Sequence, residues 1–399
     1  MLVIVNGFVG SMVGVERSLL PLVAERDFGL ASRYAILTFI VGFGLAKAIT
    51  NFFAGQLADR IGRRRVLLLG WLLALPVPVV LWRAPALEWI VAANLLLGVS
   101  QGLTWSMTVL MKVDLVGPRQ RGLALGLNEF AGYTAVGIAS LGAGVLGAAA
   151  GLRESMGLLG LACAVLGLAL SALGVPETRE HARLEAAIAA KPGAEGTLAA
   201  QVRSGRRVVV NAAQAGCVNN ANDGVAWGLL PLLFATGGLG VERIALLVSV
   251  YPTVWGVAQL GFGWLSDRVG RRPLIVLGMV FQGLALVWLA GGRDFPAWAA
   301  ASAALGLGTA MVYPALLAAV GDVTPPQRRG RALGQYRLWR DLGYPLGALS
   351  AGFLADTAGI RLSIGAVGVL TAASGVVAAL TMPESRGRPA RAAAGGAGG

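Results

Sequence analysis

Long apolar runs follow one another along nearly the whole of this chain, and each is close to the length that a helix needs to cross a lipid bilayer. A spanning α-helix takes roughly 20 predominantly apolar residues. Only 13% of the residues are charged, against about 25% in a typical soluble domain. About twelve runs can be marked: 2–24, 34–57, 66–83, 88–111, 122–149, 155–175, 207–234, 243–265, 274–291, 296–319, 332–355 and 360–381. The sequence therefore predicts an all-α membrane protein with twelve transmembrane helices, called spans 1 to 12.

The second half of the chain repeats the first. A motif of the form G-x-L-x-D-R-x-G-R-R occupies Gly55–Arg64 between two apolar runs and returns at Gly263–Arg272, an offset of 208 residues (263 minus 55). Outside the motif the same offset pairs further identical residues: Asp114 with Asp322, Pro118 with Pro326, Gly126 with Gly334, and Arg153 with Arg361. An internal duplication in a membrane chain is typical of transporters built from two repeats.

Two polar segments complete the predicted organisation. We expect a six-helix bundle over 1–175, a cytoplasmic linker over 176–205, a second six-helix bundle over 206–382 and a disordered cytoplasmic tail over 383–399. A bundle of two repeats needs no second subunit, so we expect a monomer whose main surroundings are the lipid bilayer.

The net charge of +13 reflects where the lysines and arginines lie. They concentrate in alternate loops: Arg60, Arg63, Arg64, Arg65, Lys112, Arg119, Arg121, Arg179, Arg183, Lys191, Arg203, Arg206, Arg207, Arg268, Arg271, Arg272, Arg328, Arg329 and Arg331. Loops on the other side are nearly balanced, as at Glu25–Asp27. The positive-inside rule assigns the basic loops and both termini to the cytoplasm, and predicts a multi-pass protein of the cytoplasmic (inner) membrane. This distribution argues against nucleic-acid binding.

Charged side chains inside the predicted spans are the strongest pointers to a functional site. Each costs about 2.5–3.5 kcal/mol at a helix centre, so it normally faces a cavity or a partner. The spans contain Glu16, Arg17, Lys47, Glu129, Asp223, Arg337, Arg340 and Asp341. Four residues of span 11 recur at i, i+3, i+4 and i+7 and share one helix face: Arg337, Arg340, Asp341 and Tyr344. Span 11 is therefore predicted to present a polar stripe.

Shorter polar stripes occur in other spans. Lys47 and Asn51 are one helical turn apart in span 2, as are Glu129 and Tyr133 in span 5. Span 7 carries Asn219, Asn220, Asn222, Asp223 and Trp227. By the repeat offset Glu129 corresponds to Arg337, so an acid faces a base across the pseudo-twofold axis. Each lies eight residues from the basic residues at the start of its span. This distance is about 12 Å along the helix axis, so both residues are predicted to be buried.

The duplicated motif and the twelve spans resemble the major facilitator superfamily, whose signature is a glycine, aspartate, arginine and basic-cluster motif after the second helix and again after the eighth. The resemblance covers nearly the whole chain. It implies two pseudo-symmetric six-helix bundles around a central cavity. It also implies a gating role for residues of the motif and its partners: Gly55, Asp59, Arg60, Gly62, Arg63, Asp114, Gly263, Asp267, Arg268, Gly270, Arg271 and Asp322.

The motif also has a physical interpretation. Asp59 and Asp267 can meet a helix N-terminus in the opposite half, where a carboxylate gains about 0.3–1 kcal/mol. Asp114 and Asp322 can pair with the arginine clusters and complete a cytoplasmic latch that opens when the halves rock. The alternative is that the basic cluster only fixes the topology.

Buried carboxylates that bind and release protons could couple transport to a proton gradient. The candidate proton-coupling residues are Glu129 and Asp223, followed by Glu16 and Asp341. The candidate substrate-binding residues are Arg337, Arg340, Lys47, Arg17, Asn51, Asn219, Asn222, Trp227, Tyr133, Tyr344 and Gln101. Any of the charged residues could instead belong to a structural ion pair. The chain lacks a phosphate-binding Gly-Lys-Ser/Thr loop and a Cys/His cluster, so we expect no catalytic residues, cofactor or metal.

Three functions are open at this point. Proton-coupled efflux of an amphipathic or drug-like compound agrees with the overall resemblance and with aromatic cavity candidates such as Trp105 and Trp255. However, span 4 reads Gly-Val-Ser-Gln-Gly at Gly98–Gly102 without the arginine of proton antiporters, and span 5 lacks their Gly-Pro element. The arginines could instead recognise an organic or inorganic anion moved with protons. A membrane sensor or assembly factor that does not transport is the third possibility.

Overall fold

The computed structural model describes residues 1–29, 37–115, 121–181, 198–324 and 326–385. Nearly all of these residues are helical, and the described part of the chain contains no β-strand. The helices are Leu2–Arg26 (span 1), Thr38–Ile61 (span 2), Arg63–Ala74 with Pro76–Arg83 (span 3), Leu87–Leu115 (span 4), Arg121–Ala150 (span 5), Leu152–Gly174 (span 6), Leu198–Thr236 (span 7), Val241–Val269 (span 8), Arg271–Gly291 (span 9), Phe295–Val323 (span 10), Pro326–Ala358 (span 11) and Ile360–Thr381 (span 12). The predicted all-α architecture of twelve spans is confirmed.

Ten of these spans are long and apolar enough to cross a membrane by length and composition alone. The two outside this set are spans 7 and 11, which carry the asparagine-rich and arginine-rich stripes. Span 7 begins at Leu198, inside the range 176–205 predicted as a linker. Residues 182–197 of that linker and 386–399 of the predicted tail lie outside the described residues.

Four glycines make the sharp turns between consecutive spans, and they repeat with the sequence. Gly62, Gly151, Gly270 and Gly359 have φ angles of 99°, 109°, 103° and 90°, a region that side chains other than glycine rarely adopt. The first and third are separated by the repeat offset of 208 residues, as are the second and fourth. The two halves therefore follow the same path.

The two halves pack against each other mainly through span 5 on span 8 and span 2 on span 11. Glycines of span 5 permit a very close approach of the backbones. A Cβ atom built on Gly137 would overlap Thr253 Oγ1, and one built on Gly144 would overlap the Cβ of Ala245. These positions exclude any larger side chain in this arrangement.

The halves are joined more closely at one end of the bundle than at the other. One apolar cluster joins residues of both halves at the end opposite the basic motifs, such as Leu20, Leu37 and Leu230, and continues through the first half to Ala58 and Val66. At the basic end, a separate apolar cluster contains only residues of the second half. There, among the described residues, Cβ atoms built on Gly55 and Gly263 would have nothing within 4 Å. The halves thus diverge toward the basic end.

Candidate functional site

A cavity of about 50 Å³ lies between the two halves, at the level of the polar stripes. Spans 1, 2, 4 and 5 line it from the first half, and spans 7 and 11 line it from the second. Seven predicted site residues are in its lining: Lys47, Tyr133, Asp223, Trp227, Arg340, Asp341 and Tyr344. Since a water molecule occupies about 30 Å³ in the liquid, this cavity has no room for a drug-sized solute in the conformation described.

Asp341 joins the two halves across the cavity. Arg340 Nη1 donates to Asp341 Oδ1 at 2.8 Å, forming an ion pair. From the first half, Asn51 Nδ2 donates to Asp341 Oδ2 at 2.8 Å, and Ser106 Oγ donates to Asn51 Oδ1 at 2.8 Å. Both members of the ion pair are buried, so each charge depends on the other.

Asp223 differs from Asp341, because its hydrogen-bond partner is neutral. It accepts a hydrogen bond from the hydroxyl of Tyr251 on span 8. No cation among the described residues lies within ion-pair distance of its carboxylate. Asn222, the neighbouring residue, points into a separate network, where its Nδ2 donates to Gln282 Oε1 at 3.1 Å and its Oδ1 accepts from Thr371 Oγ1 at 2.7 Å. Asn222 therefore serves packing of the second half in this conformation.

Glu129 is buried beside the cavity and holds one free carboxylate oxygen. Trp105 Nε1 and Asn128 Nδ2 donate to Glu129 Oε1 at 3.1 and 3.0 Å. Glu129 Oε2 is buried and makes no hydrogen bond to the part of the chain that the structure describes. Arg337, its counterpart by the repeat offset, is half-buried and does not form an ion pair with Glu129. The structure thus places the predicted acid and base in opposite halves without joining them.

Two basic residues inside the spans of the first half, Lys47 and Arg17, lie over aromatic rings. Lys47 Nζ lies 5.5 Å from the Phe43 ring centroid and 5.2 Å from that of Trp105. The Arg17 guanidinium lies 4.3 Å from the Phe43 centroid and donates through Nη1 to Asn94 Oδ1 at 3.1 Å. Its Nε and Nη2 atoms are buried without hydrogen bonds. Cation–π contacts of this kind partly compensate the loss of hydration.

Aromatic residues from both halves surround the charged groups. Tyr133 of span 5 stacks on Trp255 of span 8 with 3.5 Å between ring centroids. Tyr251 and Tyr313 lie 5.7 and 6.0 Å from Trp255, and the guanidinium of Arg340 lies 4.5 Å from the Tyr313 ring. Tyr251 and Tyr313 are absent from the sequence predictions, because each lies in an apolar run. The sequence repeat indicates both positions, since the offset of 208 relates Tyr251 to Phe43 and Tyr313 to Trp105.

Three other predicted site residues are buried without lining the cavity. Gln101 Nε2 donates to the backbone oxygen of Val9 at 2.9 Å, which ties span 4 to span 1. Asn219 is fully buried, and neither atom of its amide makes a hydrogen bond. Glu16 is 3% exposed, and its Oε2 is also without a hydrogen bond. These residues are apart from the cavity in this conformation.

The two copies of the basic motif form matching ion-pair clusters at the basic end. Arg63 pairs with Asp59 at 2.6 Å and with Asp114 at 3.2 Å. In the second half, pairs of the same type join Arg271 to Asp267 at 2.7 Å and Arg271 to Asp322 at 3.1 Å. The predicted pairing of the span 4 and span 10 aspartates with the arginine clusters therefore agrees with this geometry.

Among the described residues, neither Asp59 nor Asp267 forms an ion pair with the opposite half. The side chains of Asp59 and Asp267 are 70% and 67% exposed, and each pairs within its own half. Arg60 and Arg268 are exposed, and Arg268 lies over the ring of Trp264. This exposure agrees with the divergence of the halves at the basic end.

Sequence reasoning missed the glutamates that cap the motif. Glu177 accepts hydrogen bonds from the backbone N–H groups of Arg63 and Arg64 at 3.0 and 3.1 Å, just after the turn at Gly62. Glu384 accepts from Arg271 and Arg272 at the same distances in the second half. A carboxylate at a helix N-terminus is favoured by the helix dipole and by the free N–H groups. The signal was a repeated Pro-Glu-Thr/Ser-Arg string after spans 6 and 12.

Removing the Glu177 carboxylate is expected to destabilise the protein modestly. Glu177→Ala leaves the first N–H groups of span 3 without their cap, at a cost of about 1 kcal/mol. Burial opposes ionisation of Glu177, but the backbone N–H donors outweigh it, so its pKa lies below the ordinary 4.5. The stabilisation is therefore present above pH 4.5 and is lost as the pH falls through the lowered pKa. Thermal unfolding of purified protein at successive pH values measures both effects.

Glu180 supplies the matched control for this test. It is an exposed carboxylate in the same segment. Glu180→Ala should therefore leave the melting temperature and its acid dependence unchanged. Equal decreases in melting temperature in the Glu177 and Glu180 variants would show that the loss of a negative charge, and not the loss of the cap, is responsible.

Comparison with known proteins agrees with this geometry. The sequence profile described as Major Facilitator Superfamily matches residues 2–221 and 212–398. An uncharacterised MFS-type transporter of Burkholderia mallei (strain SAVP1) is 25% identical over 387 residues, covering 94% of this chain and 89% of the relative. Another from Pseudomonas aeruginosa (strain UCBPP-PA14) is 26% identical over 408 residues, covering 97% and 94%.

Solved structures show the same fold. A D-xylose–proton symporter superposes with a TM-score of 0.78 at 16% sequence identity, covering 97% of this chain and 98% of its own. The xylose transporter XylE of E. coli in an inward-open conformation gives a TM-score of 0.76 at 14% identity, covering 97% of both chains. At these identities the likeness concerns the fold alone. The predicted resemblance is confirmed, and this multi-pass membrane chain belongs to the Major Facilitator Superfamily, whose members are secondary transporters and not enzymes.

Proposed function

We propose that this transporter exports an amphipathic small molecule in exchange for protons. The observation that carries the proposal is the composition of the central cavity, where aromatic side chains of both halves surround the carboxylates of Asp223 and Asp341. Aromatic faces bind apolar surface and attract cationic groups. Arg340 already neutralises Asp341, so the cavity lining of two cations and two carboxylates does not select strongly for an anion.

Glu129 and Asp223 are our proposed proton-binding groups. Each is a buried carboxylate without an ion-pair partner among the described residues, in contrast to Asp341. Burial favours the neutral, protonated form of such a carboxyl group, and the ionised form attracts a cation. A change of solvent access or of a neighbouring charge would then release the proton. Glu16 is a weaker candidate, because it lies away from the cavity lining.

The divergence of the halves supports alternating access. If the basic loops face the cytoplasm, as the positive-inside rule predicts, the conformation described is more open toward the cytoplasm. Closure of that side would bring the exposed Asp59 and Asp267 toward the opposite half. It would also bring Arg337 nearer to the free oxygen of Glu129. In this proposal the motif clusters act as the gate, and Glu129 with Arg337 forms an ion pair in the closed state.

A second function, transport of an organic or inorganic anion with protons, is favoured by one specific observation. Lys47 has no ion pair among the described residues, and Arg340 Nε and Nη2 are buried without hydrogen bonds. These donors could recognise a carboxylate, sulfonate or oxyanion through charge-assisted bonds.

Proton flux into proteoliposomes containing a pH-sensitive dye tests the proposed function. The full chain is reconstituted and challenged with a panel of lipophilic cations, neutral amphiphiles, carboxylates and oxyanions under a pH gradient. We expect only the amphipathic compounds to move protons. Proton movement with carboxylates or oxyanions alone would establish the second function, and solute movement without protons would establish a facilitator.

Replacing Lys47 discriminates between the two substrate classes. Lys47→Gln removes a cation from the cavity lining and keeps a polar side chain of similar length. If the substrate is an anion, the lost charged hydrogen bond should raise KM about tenfold or more. If the substrate is an uncharged or cationic amphiphile, we expect KM to change little. Initial rates of labelled-solute uptake over a range of concentrations give the answer, with exposed Arg65→Gln as the control.

A further inference from the structure

A buried lysine is connected to Glu129 through one asparagine. Lys112, near the basic end of span 4, is 7% exposed, and its ammonium donates to Asn128 Oδ1. Asn128 Nδ2 donates in turn to Glu129 Oε1 at 3.0 Å. No ion pair joins Lys112 directly to Glu129, so the asparagine amide is the link between the buried cation and the buried acid.

The backbone and side chain of Asn128 are both held in place. Asn6 Nδ2 of span 1 donates to the backbone oxygen of Asn128 at 2.6 Å. Thr108 Oγ1 of span 4 donates to Asn6 Oδ1 at 2.8 Å. These contacts tie three helices of the first half together around the asparagine. Its amide therefore has a fixed place from which to contact both charged groups.

The direction of these hydrogen bonds follows from the chemistry of the groups. An ammonium has donors only, so Lys112 requires the oxygen of the Asn128 amide. The Asn128 nitrogen must then face Glu129, where it can only donate. Trp105 Nε1 is also a pure donor, and it donates to Glu129 Oε1, the oxygen that the Asn128 amide contacts, at 3.1 Å. Glu129 Oε1 thus receives two N–H groups, and a proton on this oxygen would oppose both of them.

We propose that Lys112 is a positioning residue for Glu129 and that, acting through Asn128, it confines proton binding to Glu129 Oε2. This inference rests on the proposed function, in which Glu129 is a proton-binding group. The step is addition of one proton to Oε2, which forms an O–H bond and neutralises the carboxylate, while Lys112 keeps its charge. Oε2 is suited to this role because it is buried and has no hydrogen-bond partner in the described ranges of the chain.

The arrangement exists only in the first half. The repeat offset relates Lys112 to Val320 and Asn128 to Tyr336. Val320 and Tyr336 belong to an apolar cluster of the second half, and Arg337 stands there in place of Glu129. The lysine, the asparagine and the acid thus occur together in one repeat, whereas the corresponding positions of the other have none of them. This correlation supports a shared role rather than a requirement of the fold.

Other charged or titratable groups near Glu129 must be kept constant in a test. They are Lys47 on span 2, Tyr133 on span 5 and Tyr313 on span 10. Arg337 on span 11 acts on Tyr313 and so belongs to the same surroundings. None of these groups forms a hydrogen bond with Asn128 in the described structure. Substitution of Lys112 or Asn128 therefore tests the link itself.

Infrared difference spectroscopy of the reconstituted full chain measures protonation of Glu129 without requiring transport. The carboxylic-acid band that disappears in Glu129→Gln identifies the residue, and its pH midpoint gives the proton affinity. Lys112→Met should increase that affinity about tenfold, since one nearby buried cation is lost. Lys112→Arg should keep the midpoint close to wild type. Arg65→Met removes an exposed cation at the same end and should not change it.

Asn128→Leu provides a second, independent variant should Lys112→Met fail to fold. It should raise the midpoint by a similar amount, and adding Lys112→Met to it should produce little further change. An unchanged midpoint in both single variants, or fully additive shifts, would overturn the proposal. If Glu129→Gln leaves proton-coupled transport intact, Glu129 has no part in the proposed transport mechanism, whereas the infrared midpoints still decide whether Lys112 positions Glu129.

Discussion

Glu129→Gln is expected to reduce proton-driven transport by about 100-fold or more, the lower range for losing an essential proton-transfer group. Glutamine keeps an oxygen that can accept hydrogen bonds from Trp105 and Asn128, so the local packing should survive. It cannot bind and release a proton at physiological pH. Uptake into proteoliposomes under an imposed pH gradient measures this loss.

Exchange of labelled solute without a gradient separates coupling from binding. Because the variant keeps the cavity lining, we expect exchange within about threefold of wild type, a change of less than 1 kcal/mol. Glu88→Gln, an exposed acid at the start of span 4, is the matched control and should retain driven transport. Intact pH-dependent transport by Glu129→Gln would remove Glu129 from the mechanism. Loss of both driven transport and exchange would assign it to binding or folding.

The fold could be predicted from the sequence because its determinants are local or repeated. Each apolar run is long enough to specify one span, and the lipid environment leaves a helix as the only way to satisfy its backbone. The repeated turns at Gly62 and Gly270 then define equivalent paths for the two halves. Even spans 7 and 11, with their polar stripes, were found because the remaining residues are apolar enough to mark them.

The candidate site could be predicted only in part. Helical spacing places Arg337 on one face with Arg340, Asp341 and Tyr344, because that depends on the helix alone. The last three line the cavity, whereas Arg337 does not. The partner of each group depends on how two rigid halves are placed, which the sequence pattern does not encode. Glu129 and Arg337 are therefore separate here. Asn222 lies beside the stripe of Asp223 by spacing, and its side chain joins a network inside the second half.

Asp341→Ala is expected to cause the largest loss of stability. It leaves the buried guanidinium of Arg340 without its carboxylate and removes the acceptor of Asn51 in the opposite half. Breaking a buried ion pair by removing one partner costs about 3–5 kcal/mol, because a buried charge becomes uncompensated. The free energy of unfolding from denaturant titration in mixed lipid–detergent micelles measures this cost. Asp341→Asn, which keeps an oxygen acceptor, should lose less.

Removing both charges distinguishes loss of compensation from loss of packing. Arg340→Leu combined with Asp341→Leu removes both charges of the pair, so neither is left uncompensated. We therefore expect stability to return to within about 1 kcal/mol of wild type, since buried pairs can often be replaced by apolar residues. A double variant as unstable as Asp341→Ala would indicate that the Asn51–Asp341 contact between the halves carries the stability. A single variant that loses less than about 1 kcal/mol would show that water reaches Arg340, as it can reach an exposed pair. Arg340 would then be free to bind an anion, which would strengthen the second function at the expense of the first.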